Sequence, residues 1–205
     1  MDAHGSLGIA EILGIAASAS LLAGWRLYLV VLATGIAMRT GTVPLPEHLA
    51  GLQALANPWV MGVAAFAALC EFLADKIAFV DSLWDAVHTI IRPLGGALLA
   101  LAIVDPSDGA TQAIAFLLGG GGALLAHGGK AGMRALVNTS PEPVSNVFVS
   151  TTEDIATGGL LLLAYQYPLA ASGVAAVLLA AAVGLLLTAR RLLRKLFRRE
   201  ERAQP

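Results

Sequence analysis

Seven apolar segments dominate this sequence and restrict what it can fold into. A membrane-spanning helix needs about 20 mostly apolar residues, or about 17 at the short end. Polar breaks divide the chain into apolar segments at 7–23, 25–38, 59–79, 88–104, 111 to about 134, about 147–165 and 172–190. We therefore predict an all-α, polytopic transmembrane helical bundle of about seven hydrophobic segments. The second, fourth and sixth segments are candidates for broken or re-entrant helices.

The composition excludes the main classes of water-soluble protein. Hydrophobic residues make up 57% of the chain and charged residues 13%, whereas soluble domains carry about 25% charged residues. Cys70 is the single cysteine, so no intrachain disulfide can form. Disorder, a secreted disulfide scaffold and nucleic-acid binding are therefore excluded. We predict one transmembrane domain over residues 1–190, with the lipid bilayer as its surroundings.

The charges are distributed unevenly along the chain. Residues 1–189 hold 6 Lys and Arg against 12 Asp and Glu, whereas residues 190–205 hold 7 against 2. Cytoplasmic segments of membrane proteins are enriched in Lys and Arg. If all seven segments span, residues 191–205 form a basic cytoplasmic tail that contacts anionic lipid, and the N-terminus lies outside.

Residues 59–104 and 111–165 read as two variants of one unit. Each begins with a helix rich in small residues, continues through a polar connection and ends with a helix that contains a Gly pair. Transporters often contain such repeats, with binding sites where helices are broken at the repeat interface. The glycine run 119–122 fits close packing between helices, or an unwound stretch that exposes backbone carbonyls.

Ionisable side chains within the apolar segments are the main functional signal. Such groups are costly in a bilayer, so they usually face a protein interior or a water-filled cavity. Here they recur at helical spacing, which places the members of each set on one face. Pro93 follows one of these sets and predicts a break or kink. The candidate residues that could bind a substrate or ion are Arg26; Glu71, Asp75 and Lys76; Asp81, Asp85, His88 and Arg92; His127, Lys130, Arg134 and Asn138; and Asn146, Ser150, Glu153 and Asp154.

The polar motifs resemble a family of bacterial integral membrane proteins named domain of unknown function 4126. The resemblance rests on GWRLYL (24–29), EFLADKIAFVD (71–81), HTIIRPLGGALL (88–99), HGGKAGMRALVN (127–138) and SNVFVSTTED (145–154). It implies an integral membrane fold and no assigned activity. A proline that commonly follows the family's ADK stretch is replaced here by Ala78.

The leading functional hypothesis is a small transporter or channel in the bacterial inner membrane. The carboxylates would bind cations or carry protons, while the histidines change charge near neutral pH. The buried Arg and Lys side chains would balance the carboxylates or bind an anionic substrate. Carboxylates outnumber bases two to one outside the tail, which favours a cation or proton. The substrate is therefore expected to be a small ion or solute.

Two alternatives come from other classes of protein. An intramembrane enzyme acting on a lipid or lipid phosphate could bind a divalent cation at Asp81 and Asp85. Lys130 and Arg134 would hold phosphate, with a histidine for proton transfer. No cofactor is otherwise predicted, and the chain has no HExxH, GxSxG or P-loop motif. The third possibility is a membrane scaffold or partner subunit whose ion pairs only hold its helices together.

Overall fold

A computed structural model describes residues 9–41, 47–105, 107–137 and 143–203. For residues 9, 10, 47–50, 78, 135–137, 143–146, 189 and 192–203 only the backbone is described. Six α-helices and one 3₁₀ helix make up the described chain, which contains no strand. They are α1 (Ile9–Thr40), the 3₁₀ helix (Glu47–Ala56), α2 (Pro58–Ala74), α3 (Ala78–Ile103), α4 (Gly109–Val137), α5 (Pro143–Gln166) and α6 (Pro168–Ala203).

Local sequence determines where several helices begin. Pro58, Pro143 and Pro168 are the first residues of α2, α5 and α6, a position where the missing proline N–H costs no helical hydrogen bond. The Asn57 side chain accepts a hydrogen bond from the backbone N–H of Trp59 and so caps α2. These signals confirm the sequence expectation that polar turns separate the apolar segments.

Helix α1 folds back on itself at Arg26. The backbone of Arg26 is not helical (φ −142°, ψ 68°) and joins two helical arms, residues 9–25 and 27–40. Ser18 in the first arm donates to the Ala171 carbonyl at 3.1 Å, and Thr34 in the second arm lies 2.6 Å from the Tyr165 hydroxyl. A straight helix would separate residues 18 and 34 by about 24 Å. Because both reach the short connection between α5 and α6, the arms form a helical hairpin.

The hairpin gives the bundle two distinct ends. Its tip at Arg26 lies at the charged end, which we define by Glu71 at the end of α2 and Arg134 near the end of α4. Both arms return to the opposite end, defined by the α3–α4 and α5–α6 connections. There Arg39 donates to the Ala56 carbonyl at 3.4 Å. The remaining helices alternate in direction, so α6 starts at the opposite end and runs toward the charged end.

The proposed repeat units each form a helical hairpin. Residues 59–104 fall in α2 and α3, and residues 111–165 fall in α4 and α5. In both units the first helix runs from the opposite end toward the charged end, and the second helix runs back. An internal duplication stays a prediction.

Close packing, one of the two interpretations of the glycine run, fits the structure, and no helix break occurs at Pro93. Helix α4 continues without a break through residues 119–122, so the glycines do not unwind it. A Cβ atom on Gly119 would lie 2.6 Å from the Ala100 Cβ atom in α3, which shows how closely these helices approach. Helix α3 likewise continues through Pro93 without a break. The break in the bundle is at Arg26 instead.

The outer surface is that of an integral membrane protein. By length and composition, α3, α4, α5 and α6 can each cross a bilayer. Helix α1 is also long and apolar enough when it is counted as one helix, but it folds back at Arg26. Helix α2 is apolar but shorter. Large apolar side chains are exposed around the bundle, among them Phe66, Leu117 and Ile155. Such a continuous apolar exterior requires lipid rather than water around it.

Candidate functional site

The structure brings the predicted ionisable residues together at the tip of the α1 hairpin. Side chains from α1, α2, α3, α4 and α5 meet there, although their positions range from residue 26 to residue 154. We call this group the charged cluster. Its members are Arg26, Glu71, Asp75, Lys76, Asp81, Asp85, His88, Arg92, His127, Lys130, Arg134, Ser150, Glu153 and Asp154.

Arg26 is the centre of the charged cluster because the helix break directs its buried guanidinium toward α5 and the α2–α3 connection. Its Nη1 forms a short ion pair with the Asp75 carboxylate. Its Nη2 lies 3.2 Å from Glu153 Oε2, and its Nε lies 2.9 Å from Asp154 Oδ1. Nη2 also donates to the Ser150 carbonyl at 3.0 Å. One guanidinium therefore joins three carboxylates and a backbone carbonyl.

Asp75 is shared by cations from two helices. Its Oδ2 accepts a hydrogen bond from Arg134 Nη2 at 3.1 Å in addition to the Arg26 ion pair. The Ser150 hydroxyl donates to the same oxygen at 3.3 Å. Burial by itself would raise the pKa of the Asp75 carboxyl, but Lys130, Arg26 and Arg134 hold that pKa below its usual value. Asp75 is therefore the ionised carboxylate on which the cations converge.

Lys130 occupies the space between three carboxylates. Its Nζ atom lies 3.8 Å from Glu71, 3.9 Å from Asp75 and 3.7 Å from Glu153. These separations exceed a direct hydrogen bond. The hydrogen bond that Nζ does make is to the backbone carbonyl of Trp25, at 3.2 Å. A buried ammonium thus binds a carbonyl beside the break in α1.

A second branch of the cluster is centred on Arg92. Its Nη2 donates to Glu71 Oε1 at 2.5 Å, and its Nη1 donates to Asp85 Oδ1 at 3.0 Å and to His127 Nδ1 at 2.6 Å. A guanidinium has no acceptor atom, so Nδ1 of His127 must accept and its hydrogen lies on Nε2. Nε2 is 3.1 Å from both the Asp85 carbonyl and the Thr89 hydroxyl. His127 is therefore neutral in this arrangement.

His88 lies at the edge of this branch. Its Nδ1 donates to the Trp84 carbonyl at 2.7 Å, and its Nε2 lies 3.0 Å from the Tyr28 hydroxyl. The His88 and Trp84 rings stack with centroids 4.4 Å apart. If His88 is neutral, Tyr28 donates to Nε2.

The remaining candidates lie at the periphery or outside the described residues. Lys76 is half-buried, with Nζ 3.4 Å from the centre of the Phe72 ring. Asp154 is the most exposed carboxylate of the cluster, with 27% of its side chain accessible. Asn138 lies outside the described residues, and only the backbone of Asn146 is described.

The buried charges do not balance. Among the side chains that the structure describes, five carboxylates are buried against four cations, and the partly exposed pair of Lys76 and Asp154 leaves this difference unchanged. Unpaired charge is very costly in an apolar interior. The excess of one carboxylate is therefore a property that any function of the cluster must use or neutralise.

A divalent cation at Asp81 and Asp85 stays a prediction. In the described part of the chain, no group of three or more His, Cys, Asp or Glu side chains is arranged to hold a metal ion. Asp85 accepts a hydrogen bond from Arg92, and Asp81 is completely buried.

Sequence reasoning missed three polar residues that complete the cluster. Tyr28 and Thr89 bond the two histidines, and Thr157 is fully buried one turn beyond Glu153. Helical spacing could have identified two of them, since Thr89 follows Asp85 by four residues and Thr157 follows Glu153 by four. Tyr28 reaches His88 only through the fold.

An apolar groove of about 600 Å³ shares a wall with the cluster. Leu27 and Val31 of α1, Leu55 of the 3₁₀ helix, Val63 of α2 and Leu98 of α3 line it. The Tyr28 ring also lines it, while the Tyr28 hydroxyl contacts His88.

The fold and site define an integral membrane protein with a buried cluster of charges at the tip of a helical hairpin. The family model described as domain of unknown function (DUF4126) matches residues 13–188. The chain belongs to this family, which confirms the resemblance seen in its polar motifs. Searches of curated proteins and of solved structures found no match.

Proposed function

We propose that the protein is a small transporter whose substrate or coupling ion binds in the charged cluster. The observation that carries this proposal is the break in α1 at Arg26, in the middle of the cluster. Discontinuous helices inside a membrane bundle form the binding sites of many transporters. Ionisable groups held inside the membrane are expensive, and they mark ion or substrate pathways.

We further propose that the charged end faces the cytoplasm of a bacterial cell. Helix α6 runs toward the charged end and continues into the basic segment, where residues 190–205 hold 7 Lys and Arg. The positive-inside rule favours a cytoplasmic position for such a segment. Its side chains would contact anionic lipid at that surface. The membrane would be the inner membrane, with the N-terminus outside.

Flux through reconstituted protein tests this proposal. Purified protein in liposomes is exposed to concentration jumps of protons, Na⁺, K⁺ and small organic ions on a solid-supported membrane. Wild type should give a current for at least one of them, and Glu153→Gln should abolish it while the protein stays folded. Asp108→Asn is the matched control, because Asp108 lies exposed in the turn before α4 and Asn also caps helices. Folded wild type that moves none of these ions would contradict the proposal.

A scaffold role is the second candidate, because ion pairs already connect several helices. Arg26 and Arg134 both bind Asp75 and Glu153, which ties α1 and α4 to α5 and the α2–α3 connection. Such pairs could serve only to specify helix register. A scaffold would tolerate Glu153→Gln whenever folding survives, whereas a transporter would not.

Charge reversal does not separate these two roles. Lys130 Nζ lies 3.7 Å from the Glu153 carboxylate, so the double variant Lys130→Glu with Glu153→Lys would exchange the two charges of this pair. Arg26 and Arg134 also lie within 3.2 Å of the Glu153 carboxylate. A lysine at position 153 would face both guanidiniums, so the double reversal should fail to restore folding.

A further inference from the structure

We propose that the substrate is an amphiphilic amine from the bilayer, whose alkyl chain lies in the apolar groove while its ammonium group binds at Glu71 and Asp85. This inference rests on the proposed function, because it names the substrate class of the same site. The observation that carries it is the position of Tyr28. Its ring lines the groove, and its hydroxyl lies 3.0 Å from His88 Nε2 in the charged cluster.

The groove has the shape of a site for an alkyl chain. Gly95 and Ala102 of α3 both line it, and they lie about 10 Å apart along the helix axis. Arg92 precedes Gly95 by three residues, so the groove ends within one helical turn of the charged cluster. Its volume of about 600 Å³ falls within the about 300–1,000 Å³ typical of ligand pockets. A long apolar space of this kind fits a hydrocarbon chain and does not fit a hydrated inorganic ion.

The groove opens toward the lipid. Val63 of α2 and Leu98 of α3 line it, and they are 68% and 62% exposed on the apolar exterior of the bundle. A chain can therefore enter from the bilayer, between α2 and α3. Lipid tails are as apolar as the groove, so this transfer gains little free energy. Selectivity must then come from the headgroup.

Aromatic rings connect the groove with the Arg92 branch. The Tyr28 and His88 ring centroids lie 5.6 Å apart, and those of Trp84 and His88 lie 4.4 Å apart. His88 and Arg92 are four residues apart and share one face of α3. Aromatic faces attract ammonium groups. The end of the groove therefore offers a cation a favourable surface next to the charges.

The excess carboxylate of the charged cluster lies in this branch. Arg92 is the nearest cation to both Glu71, at 2.5 Å, and Asp85, at 3.0 Å. Lys130 and Arg26 lie farther from Glu71, at 3.8 and 4.0 Å. His127 accepts a hydrogen bond from Arg92 and adds no charge, and a histidine with an ordinary pKa, such as His88, is mostly neutral at pH 7.

The rest of the buried cluster is balanced. It contains three carboxylates and three cations, namely Asp75, Asp81 and Glu153 against Arg26, Lys130 and Arg134. The branch beside the groove thus has two carboxylates for one guanidinium. An ammonium group bound there would neutralise the cluster, whereas an anionic headgroup would double the imbalance.

Photo-cross-linking of the full-length protein in neutral lipid tests this site without measuring transport. The probe is a dodecylamine with a diazirine near the end of its chain, and matched probes carry a hydroxyl or a sulfate in place of the amine. In wild type the amine probe should label groove residues far from the cluster, such as Leu55 and Ala102. Unlabelled dodecylamine should compete for this labelling, and dodecyl sulfate should not.

Variants separate the chain site from the headgroup site. Val63→Trp should fill the groove and remove most of the competed labelling. Val177→Trp is the matched control, because Val177 is also 68% exposed but lies on α6, away from the groove. Asp85→Asn should remove the preference for the amine over the alcohol, because Arg92 and Glu71 then balance each other. Glu71→Gln tests the same charge if Asp85→Asn does not fold.

The outcomes distinguish the substrate class from transport itself. Equal competition by amine and sulfate, or equal labelling of Val63→Trp and Val177→Trp, would overturn the amphiphilic amine. Small-ion currents in reconstituted protein alongside either result would leave the proposed transport standing. Amine-specific labelling of the groove, with no current for small ions or for dodecylamine, would leave the binding site standing and reject transport.

Discussion

Replacing Arg26 by glutamine should destabilise the protein strongly, because the charged cluster loses its central cation. The side chain is 1% exposed and contacts Asp75, Glu153 and Asp154. Removing one partner of a buried ion pair costs about 3–5 kcal/mol. Arg134 still lies 3.1 and 3.0 Å from Asp75 and Glu153, so we expect the lower value, about 3 kcal/mol.

Thermal unfolding in detergent measures this loss. For a chain of this length, 1 kcal/mol corresponds to about 2–4 °C in Tm, so Arg26→Gln should lower Tm by about 6–12 °C. Arg39→Gln is the matched control, because Arg39 is exposed at the opposite end and donates a long, 3.4 Å hydrogen bond to the Ala56 carbonyl. Its loss should cost less than about 1 kcal/mol. Equal melting of the two variants would refute the central role assigned to Arg26.

Two further predictions test the packing and path of α1. Gly24→Ala should destabilise the protein by about 1–3 kcal/mol, because the added Cβ atom would lie 2.9 Å from the Ala123 Cα atom. Gly121→Ala is the control: open space surrounds Gly121, so this variant should be as stable as wild type or more stable. Equal melting temperatures for the two variants would contradict this packing. The distance between spin labels at the exposed positions Leu13 and Ile36 should be well below the about 35 Å expected for a straight helix. A measured distance near this straight-helix value would exclude the hairpin.

The overall fold was largely predictable because its signals are local. The apolar segments and the polar turns between them follow from hydropathy and from Pro and Gly positions. The division of the first two segments at residues 24–26 was also visible, since Arg26 interrupts an apolar stretch. The sequence did not show that this division is a hairpin turn. The hairpin depends on contacts of Ser18 and Thr34 with residues at the α5–α6 connection, more than a hundred positions away in the chain.

The candidate site was predictable in its members and not in its pairings. Ionisable side chains in apolar segments usually face the interior of the helical bundle rather than lipid, so their convergence could be expected. Which carboxylate meets which cation depends on helix rotation and on long side chains reaching across the bundle. The Arg92 bond to His127 and the Lys130 bond to the Trp25 carbonyl are of this kind. The continuous α3 at Pro93 shows that a local breaking signal can be overridden by packing within a bundle.

Access to the charged cluster from both sides of the membrane is the most direct test of transport. Ser150 is completely buried in the cluster, and Ser150→Cys in a Cys70→Ser background gives one thiol there. Ser107→Cys, in the exposed α3–α4 turn, reports orientation. A cationic, membrane-impermeant thiol reagent is applied to each face of oriented vesicles. A transporter predicts that Cys at position 150 reacts from both faces. Reaction from one face alone under every condition tested, with the Ser107→Cys control labelled normally, would contradict it.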